Sequence, residues 1–499
     1  MREGIENLLW HIANYQGRFF DDMEFIEFYL GLIFYNYLSE KIVAEMNKKL
    51  IKYELNYTEA FQEKNQETYG EYIKEQSLKE LGFFIKPENL FKQLIKNNLD
   101  PTFVKKLNES FKQIIFTNKN INEAFQFIDF TSFKVGRNLK EKDDLLIKII
   151  KTVSGLDFSL QNDEDDFGEK FQYLINEFGQ SSGKKINQFD TPENISKLLA
   201  KLVTTNKKPI NNLYDAACGT GSTLLKVKDE IEVQNYYGQE VNQATYFISL
   251  MNMIINQIPI NNIHFYLEDS IIINRKFENK MDAIVSNPPL GLKTHLNKEL
   301  LNDERYNKFG KLPSKTSATY YFIENMLYHL DTNGTMAVIV ERGTLFRHLE
   351  KSIRQEIIET YNYLDAVINL PEKMFETTNI ATSILIFKKN RKHTNILFID
   401  ASKDYQTNRK TNKINDITIN KIIKTYTKLN EIDKYSHNAS LKEIQENNYN
   451  LNISRYIDTF ETKKPININQ TYKELSNVKK ELKKANQEYE KYLEKFNKI

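Results

Sequence analysis

The stretch MDAIVSNPPL, at residues 281–290, decides the fold of this 499-residue chain. Its first six residues are mostly apolar and include Ile and Val, which is typical of a buried β-strand. The two prolines end that strand, because neither ring nitrogen can donate a hydrogen bond to a neighbouring strand. Asn287 is therefore predicted at the carboxyl end of a strand, the edge of an open α/β sheet where ligands bind.

A second pattern lies upstream, where NNLYDAACGTGS at residues 211–222 predicts a strand, a glycine turn and the start of a helix. Gly219 and Gly221 allow a positive φ and let the backbone approach a ligand closely. The helix that follows offers its free amide groups. The spacing matches neither the G-x-G-x-x-G of dinucleotide folds nor the G-x-x-x-x-G-K-[ST] of phosphate-binding loops. A nucleotide-like cofactor fits this turn.

Acidic side chains end three of the predicted strands, at Asp215, Glu240 and Asp269. Glu240 follows the glycines by about twenty residues, the distance at which a carboxylate can accept both hydroxyl groups of a ribose. Three such strands, followed by the Asn-Pro-Pro motif, resemble an S-adenosylmethionine-dependent methyltransferase that modifies an exocyclic amino group.

The composition limits the class of protein. The length suggests two or three domains, and the hydrophobic share of 40% and charged share of 27% are typical of a soluble globular protein. Cys218 is the one cysteine of the chain, which excludes an internal disulfide and any zinc site built on several thiolates, and no metal is expected. We expect a cytoplasmic protein without a membrane segment, because the sequence has neither a basic-apolar leader nor a long apolar run.

The net charge of +2 bears on nucleic-acid binding. A protein that gripped DNA alone through many phosphate contacts would usually be more basic. Any role on nucleic acid is therefore expected to rely on a local basic patch or on a partner.

Three regions follow from the apolar patterns, and they predict an α/β fold. Residues 1–155 have helical periodicity and few glycines, which predicts a helical N-terminal domain. Residues 156–405 alternate strands and helices, which predicts a Rossmann-like, doubly wound and mostly parallel sheet. Residues 406–499 are polar and helical, and they end in a coiled-coil-like tail with a heptad seam. The seam consists of Leu475, Val478, Leu482, Ala485, Tyr489, Tyr492 and Phe496.

Such a seam must pack against something. Self-dimerisation, docking on another subunit and folding back on its own chain all remain open.

A helix start lies ahead of the first sheet strand, in QFDTPE at residues 188–193. Thr191 is predicted as the N-cap and Pro192 as the first helical residue. A second interpretation is that this segment brings Phe189 and Thr191 over the cofactor.

Together these motifs resemble the modification (M) subunit of type I restriction-modification systems. Such a subunit is an N6-adenine DNA methyltransferase. The resemblance covers nearly all of the chain, from LWHIA at residues 9–13 and LGLIFY at residues 30–35 to YNLNISRY at residues 449–456. It implies S-adenosyl-L-methionine as the cofactor and double-stranded DNA as the substrate. It also implies a specificity subunit and a second M subunit as partners, with a restriction subunit that can join them.

The resemblance also implies roles for single residues. The cofactor set is Phe189, Thr191, Asp215, Gly219, Thr220, Gly221, Glu240 and Asp269; the catalytic set is Asn287, Pro288, Pro289 and Leu290. Thr191 and Gly219 would lie near the methionine part, Glu240 on the ribose and Asp269 at the adenine amino group. The target adenine must be flipped out of the duplex. Phe375 would contact that base, while the Asn287 side-chain oxygen and the Pro288 carbonyl would accept the N6 hydrogens.

Several residues depart from the family pattern. The family usually has Tyr or Phe at the position of Leu290, Pro at Ala216 and an aromatic at Asp190, and Glu341-Arg342-Gly343 replaces a Pro-His-Gly. An aromatic after the prolines stacks on the extruded base, which is worth ~1–3 kcal/mol. Without it, methylation would be slower or weaker by roughly tenfold to a hundredfold, unless apolar contact from Leu290 offsets part of the loss.

Two alternatives follow from these departures and from the motif itself. The first is a catalytically weak or inactive subunit that clamps DNA as a scaffold in such a complex. The second is an RNA or protein amino-methyltransferase, which uses the same Asn-Pro-Pro logic but would not need the helical N-terminal domain and the coiled tail.

Overall fold

The computed structural model describes residues 22–96, 103–131, 139–156, 164–181, 191–205, 209–294, 300, 302–309, 312–375, 378–407, 411–458 and 468–496. The predictions for LWHIA, Phe189 and Asp190 lie outside these residues. The chain divides into two compact units, Met1–Ile457 and Asp458–Ile499. Within the described ranges, no helix has the length and apolar character needed to cross a membrane.

The N-terminal part is helical, as predicted, and it is built around the helix Asp22–Leu50. Every residue from Phe28 to Ser39 is buried, so this part of the helix is covered on all sides rather than on one face, as expected for a helical segment that is apolar all round. The other helices are Tyr57–Ala60, Glu63–Asn65, Glu71–Glu80, Phe91–Lys96, Phe103–Lys112, Lys119–Gln126 and Leu139–Ser154. Two short strands, β1 (Phe83–Phe84) and β2 (Ile115–Phe116), pair antiparallel beside them.

A nine-stranded sheet forms the centre of the larger unit. Its strands are β3 (Ile210–Asp215), β4 (Val233–Glu240), β5 (Ile263–Leu267), β6 (Met281–Ser286), β7 (Leu330–Glu341), β8 (Leu364–Asn369), β9 (Thr382–Lys388), β10 (Ile396–Asp400) and β13 (Ser436–Ala439). They lie in the order β13-β10-β8-β9-β7-β6-β3-β4-β5. β9 runs antiparallel to both its neighbours and β13 antiparallel to β10, and the remaining pairs are parallel. The predicted α/β fold with a mostly parallel sheet is confirmed.

The central strands are buried on both faces. In β7, Ala337 and Ile339 belong to one apolar core, whereas Met336, Val338 and Val340 belong to the other. This explains the continuous apolar runs in the sequence. The covering helices are Glu164–Ser181, Glu193–Thr204, Ser222–Lys228, Gln243–Ile255, Glu304–Asn307, Thr319–His329, Lys351–Gln355, Asp416–Lys428 and Leu441–Glu446.

The sheet extends beyond residue 405, where the sequence predicts the C-terminal region to begin. After a short hairpin of β11 (Gln406–Thr407) and β12 (Asn412–Lys413), β13 pairs with β10, so that Ser436 lies opposite Ile399. The larger unit runs through Ile457.

The smaller unit contains the helix Ile468–Phe496. Four residues of the predicted seam, Leu475, Val478, Leu482 and Tyr489, are 48%, 59%, 60% and 63% exposed. The side chains of Tyr492 and Phe496 lie outside the described part of the chain.

Candidate active site

A cleft opens at the carboxyl ends of β3, β4 and β6, the edge at which parallel strands place their ligand-binding loops. Among the predicted site residues, Gly219, Glu240, Asp269, Asn287 and Pro289 line this cleft. Residues more than sixty positions apart in the sequence therefore meet at one edge of the sheet.

The glycine turn after β3 has the conformation that its sequence predicts. Gly219 and Gly221 have φ angles of 55° and 80°, which favour glycine. The turn is fixed by hydrogen bonds to neighbouring elements: the Cys218 amide donates to the Gln239 carbonyl over 3.0 Å, and the Asn252 side chain donates to the carbonyl of the buried Thr220 over 2.8 Å. The glycine turn is therefore held in its conformation by contacts within the protein.

Glu240 ends β4 and is 5% exposed. Its Oε1 accepts the amides of Val241 and Asn242 at 2.8 and 2.7 Å, and its Oε2 accepts the Gly219 amide at 3.1 Å. Burial raises the pKa of the Glu240 carboxyl, while these three amides act in the opposite direction. A carboxylate has about four lone-pair positions, so this one ties the glycine turn to β4 and keeps capacity for a ligand.

Asp215 ends β3 and is also buried. Its Oδ1 accepts the Ser286 hydroxyl at 2.6 Å and the Ala217 amide at 2.9 Å. Burial raises the pKa of Asp215 to about 7. Since Ser286 directly precedes Asn287, this contact joins the glycine turn to the Asn-Pro-Pro motif.

The acids after β5 divide into two roles. Asp269 accepts the Ile271 amide at 2.8 Å and shapes the turn. Glu268, which the sequence analysis did not single out, also lines the cleft and is held by Arg275 at 3.0 and 2.5 Å and by the Gln239 amide group at 2.8 Å. The adjacent Glu-Asp pair was the available signal, but sequence alone does not tell which acid is paired with a cation.

Asn287 is half-buried, and the two ends of its amide differ. Nδ2 donates to the Thr191 hydroxyl at 3.0 Å. Oδ1 is shielded from solvent and has no hydrogen-bond partner among the described residues. A buried acceptor left unpaired costs about 1–3 kcal/mol, so this oxygen is suited to a donor supplied by a ligand.

Thr191 is not the helix cap that one interpretation of the sequence predicts. The helix begins at Glu193, Pro192 occupies the N-cap position, and no side chain caps the first turn. Proline at the cap leaves the Thr191 side chain one position further out, where its hydroxyl contacts Asn287 instead of the helix amides.

The residues predicted to hold the target base are less open than expected. Leu290 is half-buried against the larger apolar core, and Phe375 is 7% exposed. Phe375 forms an antiparallel bridge with Thr378. Gly291, with a φ of 69°, places the following turn near the Ile380 side chain. Pro288 is buried and Pro289 exposed.

The Glu-Arg-Gly after β7 is occupied by internal contacts. Arg342 donates from Nε to the Asn369 side chain at 2.8 Å and from Nη2 to the Leu370 carbonyl at 3.0 Å. Glu341 accepts the hydroxyls of Ser317 and Thr319 at 2.9 to 3.0 Å. These contacts hold Arg342 against the ends of β7 and β8.

The donor and acceptor set suits S-adenosyl-L-methionine. Glu240, which lines the cleft, suits the ribose hydroxyls of this cofactor, and Val241 and Ile271 add apolar walls. Over the described ranges, no group of three or more His, Cys, Asp or Glu side chains could hold a metal ion.

Comparison with known proteins gives the same result. The family model for N-6 DNA methylases matches residues 162–465, and that for the HsdM N-terminal domain matches residues 5–153. The methylase subunit of the type I restriction enzyme MpnII from Mycoplasma pneumoniae is 30% identical over 97% of this chain and 95% of its own length. The MjaVII methylase subunit from Methanocaldococcus jannaschii is 26% identical over 78% of this chain and 70% of its own length.

Among solved structures, the type I restriction-modification methyltransferase subunit from Streptococcus thermophilus superimposes with a TM-score of 0.81 at 30% identity, covering 91% of this chain and 99% of that one. The chain therefore belongs to the N-6 DNA methylase family, as an S-adenosylmethionine-dependent, adenine-specific methylase subunit of the type I restriction-modification kind.

Proposed function

We propose that this chain carries out the methyl transfer of its complex at the cleft beside Asn287. The observation that carries the proposal is the buried Oδ1 of Asn287, which has no partner among the described residues and lies at a cleft that Glu240 and Asp269 also line. An acceptor without a donor beside a cofactor cleft suits the amino group of an extruded adenine.

Adenine N6 is a poor nucleophile because its lone pair is delocalised into the ring. The Asn287 oxygen and the Pro288 carbonyl would accept its two hydrogens and direct the lone pair at the reacting carbon. The bound cofactor supplies an activated methyl group on a sulfonium. The contribution of the chain is positioning and electrostatics rather than covalent catalysis.

The proposed cofactor contacts follow the strand ends. Glu240 binds the ribose hydroxyls and Asp269 the adenine amino group, while Gly219, Thr220 and Gly221 provide the turn that the methionine part approaches. Asp215 acts on the cofactor by its charge, across the glycine turn and without direct contact. The contacts of Phe189 with the cofactor and of Phe375 with the base remain predictions.

The proposed partners are double-stranded DNA, a specificity subunit, a second M subunit and a restriction subunit that can join, in the cytoplasm. The net charge of +2 supports a dependence on partners. No described segment resembles a second domain that would read DNA sequence.

Leu290 favours a second candidate, a subunit that clamps DNA but transfers methyl groups slowly or not at all. It lacks the aromatic face that stacks on a flipped base. Arg342 does not support this candidate, because its hydrogen bonds hold it against Asn369 and Leu370.

Methyl transfer from labelled cofactor to duplex DNA, RNA and protein, with and without the specificity subunit, tests these possibilities. We expect the isolated chain to bind S-adenosyl-L-methionine but to methylate DNA poorly, and the complex to label adenine N6. Robust site-specific methylation by the isolated chain would refute the dependence on partners. If the full complex leaves duplex DNA unlabelled, the scaffold candidate is supported. If RNA or protein becomes labelled, the substrate class is different.

Deletion of residues 470–499 is expected to weaken assembly with the specificity subunit while leaving cofactor affinity unchanged. The reason is that Leu475, Val478 and Leu482 present an exposed apolar seam, and burying such a seam on a partner is a common mode of helix recognition. Analytical ultracentrifugation of the mixed subunits measures assembly, and calorimetry measures cofactor binding.

A pair of point variants sharpens this test. Leu482→Glu places a charge in the seam and should weaken assembly by about tenfold or more, whereas Lys483→Glu alters the next position, outside the seam, and should have little effect. Unchanged assembly of the truncated chain would show that the seam does not bind that subunit.

Cofactor affinity is expected to rise with pH between about 6 and 7.5. The pKa of Asp215 is raised from 3.8 to about 7 by burial, and a cationic ligand would lower it again, so binding releases a proton over this range. The affinity should rise by at most about tenfold per pH unit below pH 7. Calorimetry of the wild type and of Asp215→Asn measures this, and the variant, whose Oδ1 can still accept Ser286, should lose most of the slope.

The same raised pKa has the opposite effect on stability. Because the protonated acid is favoured in the folded state, its contribution to the free energy of unfolding is largest below pH 4 and is lost as the pH rises towards 7. An equal pH slope in Asp215→Asn would assign the titration to another group. The measurements of cofactor affinity stop at pH 7.5, because the α-amino group in the methionine part of the cofactor itself titrates at about 7.7–8.0.

A further inference from the structure

We propose that Thr191 is a positioning residue that orients the Asn287 amide for methyl transfer. This inference rests on the proposed role of Asn287 and adds the residue through which that side chain is held, in place of the contact between Thr191 and the methionine part of the cofactor that the family resemblance implies. Thr191 itself is not required to touch the base.

The contact joins two distant parts of the chain. Thr191 and Asn287 are 96 positions apart, and the Nδ2 to Oγ1 distance is 3.0 Å. Thr191 is 8% exposed, so little water competes for its hydroxyl. The bond links the segment before the helix Glu193–Thr204 to the carboxyl end of β6.

Thr191 is itself held in place. The Ser196 hydroxyl donates to the Thr191 carbonyl at 3.4 Å and lies 3.0 Å from the hydroxyl of Thr223, on the helix that follows the glycine turn. Its own side chain caps no helix. The hydroxyl is therefore anchored by the backbone and available to Asn287.

An amide has a donor end and an acceptor end. When the Thr191 hydroxyl takes the donor end, Oδ1 is the end left without a partner among the residues that the structure describes. An adenine amino group is a donor, so it needs this orientation. The reverse orientation would set one NH₂ group against another.

Removing the hydroxyl affects the reactive complex more than the free protein. In the free protein no bound base engages Oδ1, so the Asn287 amide can turn. With adenine bound, Oδ1 is engaged and Nδ2 would remain buried without an acceptor, a penalty that lowers the rate of transfer by roughly tenfold to a hundredfold. Cofactor binding does not require the amide to hold either orientation.

The test compares Thr191→Val with Thr191→Ser in the complex assembled with the specificity subunit. Thr191→Val keeps the side-chain shape without the hydroxyl. We expect its single-turnover rate at saturating S-adenosyl-L-methionine to fall by roughly tenfold to a hundredfold, with the cofactor Kd changed by less than about threefold. Thr191→Ser should restore most of the rate.

Thr204→Val is the matched control. It makes the same substitution at the other end of the same helix, where the hydroxyl donates to the Ala200 carbonyl at 2.9 Å. It should leave the rate and the Kd unchanged. Thermal melting of all three variants reports any loss of folding.

Each other outcome overturns the inference in a recognisable way. A normal rate with a weakened Kd in Thr191→Val would show that Thr191 serves the cofactor alone. A lower rate, a higher Kd and a lower melting temperature together, without rescue by Thr191→Ser, would show a role in folding. A structure of Thr191→Val that distinguishes the Asn287 amide oxygen from its nitrogen, and shows both in their wild-type places, would refute it without any assay of activity. A wild-type complex that binds cofactor but never methylates DNA would instead refute the proposed function.

Discussion

Asn287→Ala is expected to lower the rate of methyl transfer by roughly 10²–10³-fold and to leave the affinity for S-adenosyl-L-methionine nearly unchanged. The magnitude is that of removing one group that stabilises a transition state in a site closed to water. The side chain contributes an acceptor that has no partner in the described structure, so its removal costs the cofactor-bound ground state little. Single-turnover kinetics of the assembled complex and calorimetry measure the two quantities.

Glu240→Gln provides the contrast. Glu240 accepts three backbone amides and carries the proposed ribose contact, and a glutamine would set its own NH₂ against one of those amides. We therefore expect weaker cofactor binding, and a smaller loss of rate at saturating cofactor than in Asn287→Ala. Glutamine is preferable to alanine here, because alanine would remove the support of the glycine turn entirely. Equal losses of cofactor binding in Asn287→Ala and Glu240→Gln would show that Asn287 binds the cofactor instead of the target amino group.

The strand ends were predictable from sequence because apolar runs and breakers act locally. MDAIVS followed by two prolines can hardly continue as a strand, and Gly219 and Gly221 allow the positive φ angles that the turn adopts. Parallel pairing then brings Asp215, Glu240 and Asn287 to one edge without further information. The fold and the cleft follow from these rules.

The direction of β9 was not predicted from the sequence, although a signal existed. Parallel neighbours need a long crossover, usually a helix, and the segment between Asn369 and Thr382 is short and has no helical pattern. An antiparallel strand between β7 and β8 is the arrangement that such a short connection permits.

Contacts that depend on packing were beyond prediction from local patterns. Arg305 is completely buried and donates to the carbonyls of Ser270 and Ile271 at 2.7 and 2.8 Å, with Asp303 as its ion-pair partner. It thereby holds two residues that line the cleft. Arginine is normally exposed, and no local pattern marks one that will satisfy backbone carbonyls in the interior.

The contact between Thr191 and Asn287 belongs to the same class. The sequence supplied a cap pattern, Thr-Pro-Glu, but the helix begins one position later than predicted, with Pro192 at the N-cap position and no side-chain cap. A shift of one residue changes the role of a side chain completely, because the hydroxyl that would cap the helix contacts Asn287 of the Asn-Pro-Pro motif instead. Helix boundaries are where local rules are least exact.

Leu290→Tyr is expected to raise the single-turnover rate of methylation, by at most roughly tenfold to a hundredfold. The phenol restores a stacking face for the flipped adenine, worth ~1–3 kcal/mol, on an otherwise intact Asn-Pro-Pro turn. Cofactor affinity should hardly change. The gain will be smaller if the ring cannot leave the apolar core against which Leu290 packs.

Leu292→Tyr is the matched control, since it adds the same ring two residues further on, at a position that is 42% exposed and lines the cleft. A ring there does not follow the prolines directly and should not reproduce the gain. If both variants accelerate methylation equally, added apolar area rather than stacking is the cause. If an active parent becomes slower as Leu290→Tyr, leucine is the residue fitted to this pocket, because a larger side chain then disturbs the apolar core against which Leu290 packs. If the parent is inactive and the variant does not rescue it, the absence of an aromatic ring is not what limits this subunit, and the scaffold role is favoured.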